Sequence, residues 1–556
     1  MNTASPPFGF NAPSTSLVPP RAFVAFSGGG ARGLVHVGAL KALEDHGLHV
    51  CGVAGTSAGA IVATLCAAGF SADDIVNSNG KHSIFDRLRK IDPRFVNATA
   101  IFGQGGWPKI ACLRQARRHM TWPRAAVGAL LCMVLILAAV WSCAHEGRWG
   151  WVIGAALLTI PAASLGVGLR ILYGLARLDE FEYCLRRLLQ EELFPDEPGR
   201  IVRFSDFGRD GRPTLKIVAT NLTRQSLQLF SPATTGSVSV SQATAASICL
   251  PFIFEPWRID GEVYVDGGIV SNLPAWPFDD EREIDPGALT LAFDIESASR
   301  KAWSGHFTWP IPALTTAISG AATLNTRGML NAETFVLKSG LELLNFDMKR
   351  SDAADQVRVA TTAARSAINK SIFINPSIYR SACNWALSFV TQALEAAPVV
   401  YSRAKPNARI RVGIAMRDTN GCGTLRLRFG AGYLESDADV GILLPLEGSV
   451  VGAAWRNRGP WLERRPFDRQ LNLPGRTNDA LRQRIWKQLA WTLCVPIYGN
   501  GDDSPAFVVT IDGSRPLSGD DEMIGVMAKL AREVERSFAD IVASLSKADI
   551  AVRRGK

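Results

Sequence analysis

The stretch VCGVAGTSAGAIVATLCAAG, residues 50–69, decides the fold. Its first six residues are a short apolar run of strand type. Then come Gly55-Thr56-Ser57-Ala58-Gly59 and an apolar helical segment. Upstream, AFVAFS (22–27) reads as another buried strand, followed by Gly28-Gly29-Gly30-Ala31-Arg32-Gly33 and LVHVGALKALEDHG (34–47), in which Leu34, Val37, Leu40 and Leu43 recur at helical spacing. Strand, glycine turn and helix, repeated, predict an α/β domain with a parallel core.

The turns bring chemistry with them. A Gly-x-Ser-x-Gly turn between strand and helix lifts the serine hydroxyl above the sheet, because only glycine relieves the crowding on either side of a strained nucleophile. Consecutive glycines expose unhindered N–H groups that can hold an oxyanion. Gly28-x-Gly30-x-x-Gly33 also fits a dinucleotide fingerprint, but the acidic residue needed at the end of the second strand is replaced by the serine motif. A nucleophilic serine needs a proton acceptor. Of the seven histidines, at 36, 46, 49, 82, 119, 145 and 306, only His306 could complete a Ser-Asp-His order, and it sits in a polar loop. Asp266 ends the strand-like VYVD and precedes Gly267-Gly268, which is either a plain turn or an exposed carboxylate.

Taken together, the chain resembles the patatin-like phospholipase family. The resemblance rests on Gly28–Gly33, the Gly55–Gly59 elbow, Ala246-Ser247-Ile248-Cys249-Leu250-Pro251-Phe252, and Asp266-Gly267-Gly268 with Asn272 and Pro274 following. It implies a three-layer α/β sandwich with a mostly parallel sheet, and a Ser-Asp dyad that cleaves lipid acyl esters with no cofactor and no metal. Ser57 would be the nucleophile, Asp266 the base, and the N–H groups of Gly28, Gly29 and Gly30 the oxyanion hole. Arg32 is either a contact to a lipid headgroup or a structural ion pair.

The family pattern is interrupted by a large insertion. AAVGALLCMVLILAAVW (125–141) and WGWVIGAALLTIPAASLGVGL (149–169) contain no charge. At about 1.5 Å per residue they extend about 26 and 32 Å, close to the hydrocarbon thickness of a bilayer. Only residues 142–148 separate them. Arg114, Arg117, Arg118 and Arg124 precede the pair and Arg170, Arg177, Arg186 and Arg187 follow it, so the positive-inside rule expects a transmembrane hairpin with the catalytic and C-terminal parts on the cytoplasmic side. A buried or interfacial helical pair is the alternative.

The expected division is a loose tail at 1–20, a catalytic domain at 21–110 and 181–370, the hairpin insertion at 111–180, and a C-terminal unit at 381–556. After Asp266, ALTLAFDIES (288–297) is expected as a strand, TFVLKSGLELLNFDM (334–348) and VRVATTAARSAI (357–368) as helices. The last third alternates helix, strands, Gly448-Ser449-Val450-Val451-Gly452 and a closing helix from about Asp520 to Ser546. It resembles a GAF-type sensory domain of α+β type, which implies a small-molecule ligand or dimerisation.

Composition bounds the rest. With 47% hydrophobic and 20% charged residues the chain folds around real cores. A net charge of +9 without a long basic block gives no ground for a nucleic-acid partner. Ten cysteines without a C-x-x-C pair argue against zinc and a disulfide framework, and residues 1–20 lack the pattern of a cleaved signal peptide. The expectation is a membrane-anchored serine hydrolase acting on phospholipid or another acyl-ester lipid. Its alternative is a non-catalytic membrane signalling scaffold.

Overall fold

A computed structural model describes residues 20–554 except 78–82, 103–105, 113–114, 116–121, 146, 286, 298–331, 402–407, 418–422, 435, 466–475 and 500–502. Two sheets organise it. The first has the order β5-β6-β3-β2-β1-β7-β8, with β4 paired to β3. Its centre is parallel: β1 (Arg21–Phe26) lies between β2 (His49–Thr56) and β7 (Leu289–Ser297), β2 continues to β3 (Thr214–Asn221), and β7 to β8 (Ala332–Ser339). Beyond β3 the strands run antiparallel, through β6 (Glu262–Asp266) to β5 (Trp257–Ile259), while β4 (Ser226–Phe230) folds back on β3.

Strands of this kind are covered on both faces, which is why β1 reads as an unbroken apolar run. Ala22, Val24 and Phe26 join the main core, and Phe23 and Ala25 face Phe278 and Leu273 on the other side. Helix α1 (Val35–Asp45) packs in the main core against α8 (Arg350–Ile368). Gly38 permits that approach, since a Cβ there would lie 2.7 Å from the Val357 carbonyl. Helix α2 (Ala58–Ala67) follows the serine turn; α3 (Ile84–Ile91), α6 (Asp179–Leu193) and α7 (Val240–Ser247) complete that layer.

The insertion forms two helices, α4 (Trp122–His145) and α5 (Gly147–Tyr173), the latter continuing through Pro161. Among the described residues no helix is long and apolar enough to cross a membrane, but several side chains inside both, that of Ala129 among them, lie outside the description. Between the helices Ala139 and Ser142 are buried, whereas Leu131, Leu137, Val140, Trp151, Ile160 and Leu165 are all exposed. An apolar surface of this extent is unusual on a globular protein.

One expectation needs correction. Residues 334–339 are not helical: they form β8, where Phe335, Leu337 and Ser339 are buried and Val336 is exposed. The period is two, and a short apolar run did not distinguish it from a helix. Between 370 and 381 the chain is helical throughout. Helix α8 passes through a π-helical turn (Asn369–Ile374) directly into α9 (Asn375–Glu395). Pro376 lacks the N–H that a helix needs, and such turns commonly absorb the mismatch.

The second sheet is wholly antiparallel, in the order β11-β10-β9-β14-β13-β12. Its strands are β9 (Ile410–Arg417), β10 (Thr424–Ala431), β11 (Leu443–Pro445), β12 (Trp461–Arg464), β13 (Trp491–Tyr498) and β14 (Pro505–Gly513). Helix α9 and the final α11 (Asp520–Arg554) cover one face with Val390, Leu394, Val534 and Phe538. Helix α10 (Val450–Asn457) covers the other with Val450, Val451 and Ala454. This C-terminal part is a sheet-rich unit with its own core. Arg428 on β10 bonds Glu333 on β8 at 2.9 Å, joining the two sheets' units.

Candidate active site

The serine elbow is built by close contact. Ser57 has φ 53° and ψ −124°, in a region that side-chain-bearing residues seldom occupy. Either flanking glycine is sterically required: a Cβ on Gly55 would lie 2.3 Å from the Gly59 carbonyl, and one on Gly59 would lie 2.2 Å from that of Phe26. The Ser57 N–H donates to Ser247 Oγ at 2.9 Å, and that hydroxyl donates to the Val218 carbonyl at 2.7 Å. Ser247 on α7, within the motif 246–252, thus pins the turn to β3.

Asp266 reaches the same place from the far side of β3. It is 3% exposed, and its Oδ1 accepts the Gly268 N–H at 2.7 Å. Oδ2 is buried with no hydrogen bond of good geometry. Burial drives the carboxyl up to about 6, against the opposing pull of the Ser57 hydroxyl and then the Gly268 amide. The Ser57 hydroxyl is thus among the groups that act on the Asp266 carboxyl, while Oδ2 is left without a hydrogen-bond partner among the described residues.

The glycine turn departs from expectation at Gly28. Its N–H donates to the Asn272 carbonyl at 3.0 Å and is occupied, so it is not free for an oxyanion. The N–H groups of Gly29 and Gly30 have no partner among the described residues, and neither has that of Ala58. Ala58 was missed in the sequence, although its place directly after the serine, opening a helix, is the signal. Gly30 has φ +55°, and a Cβ there would lie 2.4 Å from the Leu343 carbonyl, which also accepts the Ala31 N–H at 2.9 Å.

Arg32 turns inward. Its Nε and backbone N–H both donate to the Gly29 carbonyl, at 3.3 and 3.2 Å. Since C=O and N–H point in opposite directions across a trans peptide, this fixes the direction of the Gly30 N–H. Burial lowers the Arg32 pKa and Asp294 raises it. Asp294, one residue beyond the Phe26–Phe293 pair, is mostly buried, and burial raises its pKa while Arg32 is among the groups that lower it. Sequence reading missed Asp294; its position at the end of AFD beside β1 was the available clue.

His36 is fully buried. Its Nε2 donates to the Ser27 carbonyl at 2.8 Å, so that nitrogen carries the proton, and burial pushes its pKa down to about 4. It supports the turn as a neutral ring. His306 lies outside the described residues.

Beside Gly30 and Ala58 opens a cavity of about 280 Å³ with almost wholly apolar walls, among them Leu34, Ile61, Leu65, Leu88, Leu185 and Phe346. The cavity can hold an alkyl chain against Gly30 and Ala58, whose amides are without partners among the described residues.

Residues 24–279 match the family model described as patatin-like phospholipase. An uncharacterized protein of Acanthamoeba polyphaga mimivirus is 31% identical over 109 residues, 20% of this chain and 34% of that protein. Uncharacterized protein YqhO of Bacillus subtilis is 24% identical over 277 residues, 48% of this chain and 70% of that one. The chain thus spans about a third of the length of the viral relative. The crystal structure of VipD from Legionella pneumophila is similar at 15% identity and a TM-score of 0.33, covering 71% of this chain and 81% of that one. Residues 24–279 are thus similar to a patatin-like phospholipase domain.

Proposed function

We propose that this protein is a membrane-anchored serine hydrolase that cleaves acyl esters of membrane lipids through Ser57 and Asp266. The observation that carries the reading is the meeting of a strained serine with a buried carboxylate whose Oδ2 is otherwise unpartnered. Ser57 Oγ attacks the ester carbonyl carbon while its proton passes to Asp266 Oδ2. The N–H groups of Gly29, Gly30 and Ala58 receive the oxyanion, each donor contributing on the order of 3 kcal/mol. As the tetrahedral intermediate collapses, the alcohol or lysolipid oxygen takes the proton from Asp266. Water then gives a proton to the same carboxylate, attacks the acyl-serine and releases the fatty acid, restoring Ser57.

The apolar cavity supports an acyl chain as the group held beside Ser57. The exposed apolar side chains of α4 and α5 support insertion of the hairpin in a bilayer, with the catalytic and C-terminal parts on its cytoplasmic side. Tethering of that kind keeps the enzyme at a high local concentration of lipid. The C-terminal unit, GAF-like in its order of elements, serves as a regulatory domain for a small ligand or for dimerisation. A fluorophosphonate probe tests the core of this reading: it should label the wild type and leave Ser57→Ala unlabelled. Absence of labelling on the folded wild-type protein counts against a hydrolase.

A further inference from the structure

We propose that the loop 250–254 is a lipid-inserting element, in which Phe252 enters the membrane face occupied by the hairpin and turns the mouth of the Ser57 site toward it; this rests on the hydrolase and hairpin reading above. Phe252 has φ +69° and its side chain is 48% exposed. A bulky residue in left-handed backbone is a genuine outlier, and here no burial of the ring offsets the strain.

Both ends of the loop are fastened. On one side the Cys249 carbonyl accepts the N–H of Asp266 itself at 2.8 Å. On the other, the N–H groups of Leu175 and Ala176, the first residues beyond α5 and Gly174, donate to the Ile253 carbonyl at 3.0 Å each, and the Glu255 N–H donates to the Ala176 carbonyl at 2.9 Å. Gly174, at φ +109°, allows this seam because a Cβ there would lie 2.4 Å from the Glu255 nitrogen. Phe252 therefore sits between the proposed base and the exit of the hairpin, and cannot shift relative to either without breaking these bonds. The flanking segments present apolar side chains too: Tyr173 at the end of α5 and Ile269 just past Asp266 are both exposed. Exposed apolar side chains thus lie on α5, on the loop and just past Asp266, and beside a hairpin read as inserted they favour a lipid surface over a protein as the occupant.

The test uses the full-length protein reconstituted in vesicles of phosphatidylcholine and phosphatidylglycerol. Phe252→Asn removes the ring with a residue that tolerates left-handed backbone. Its hydrolysis of vesicle phospholipid should fall about tenfold, while the rate on a soluble short-chain p-nitrophenyl ester stays within about twofold. Equal losses on both substrates, or no loss on vesicles, overturn the proposal. A second measurement is independent of activity. In the Ser57→Ala background a fluorescent non-natural residue at 252 should be quenched by nitroxides on lipid acyl chains, and an unquenched label overturns insertion even if the wild type is an active esterase. A quenched label, together with a folded wild-type protein that hydrolyses neither substrate, supports insertion and removes the hydrolase reading instead.

Discussion

Ser57 and Asp266 stand at the ends of strands that never pair: β3 separates them, with Val218 opposite Thr56 and Ala219 opposite Asp266. The site is therefore set by register across three strands. A slip of one residue in β6 would send the carboxylate to the other face of the sheet.

On the proposed mechanism Ser57→Ala and Asp266→Asn are each expected to lower kcat/KM for a short-chain ester by about a thousandfold or more. His306→Ala should remain within about twofold of wild type. An Asp266→Asn enzyme of near-normal rate would remove the aspartate from the mechanism.

The pH profile of kcat/KM should rise through about 6, where Asp266 becomes ionised and able to accept the serine proton. Stability follows the opposite trend. The folded protein holds this proton more tightly than the unfolded chain, whose ordinary value is 3.8, so the contribution is full below that value and lost as pH rises through about 6. At neutral pH the inactive Asp266→Asn variant should accordingly be more stable than wild type, by up to about 3 kcal/mol, in urea unfolding.

Two glycines of nearly equal φ separate strain from collision. Gly47, at φ +61°, has nothing within 4 Å of a would-be Cβ, and Gly47→Ala should cost about 1 kcal/mol. Gly30→Ala adds a clash with the Leu343 carbonyl and should cost about 3 kcal/mol as well as most of the hydrolytic rate.

Arg32→Gln should lower kcat on a neutral soluble ester about 10- to 100-fold with little change in KM, and Asp294→Asn should act in the same direction. That outcome marks Arg32 as a positioning residue for the Gly30 amide. A defect seen only with phospholipid would place it on the headgroup instead.

In the C-terminal unit, Arg411 is 1% exposed, bonded to Asp439 at 2.9 and 2.8 Å and to Asp512 at 2.9 Å, and flanked by the rings of Tyr433 and Trp486. Arg411→Ala leaves buried carboxylates unpaired and should cost about 3–5 kcal/mol. Its denaturation curve should show the C-terminal unit melting ahead of the catalytic one.

Features enforced by local sterics were legible in the sequence. The elbow at Gly55–Gly59 was marked by strand, turn and helix in order, whereas the aspartate before Gly267-Gly268 stayed open between a plain turn and a carboxylate until the family resemblance was added. What escaped depended on distant partners. Nothing local says that the Gly28 amide is taken by Asn272, or that Asp294 lies beside Arg32. The segment 334–339 was misread because a short run of apolar and polar residues fits either period until β7 is laid alongside it. The continuous helix from 350 to 395 was hidden by a change of surface pattern at the π turn, where the buried face passes from one core to the other.

The backbone at position 57 is one that glycine would enter freely and serine enters against resistance. A chain optimised for persistence alone would have surrendered the hydroxyl there and relaxed. Under the proposed mechanism that resistance is the cost of holding a hydroxyl where glycine would have rested.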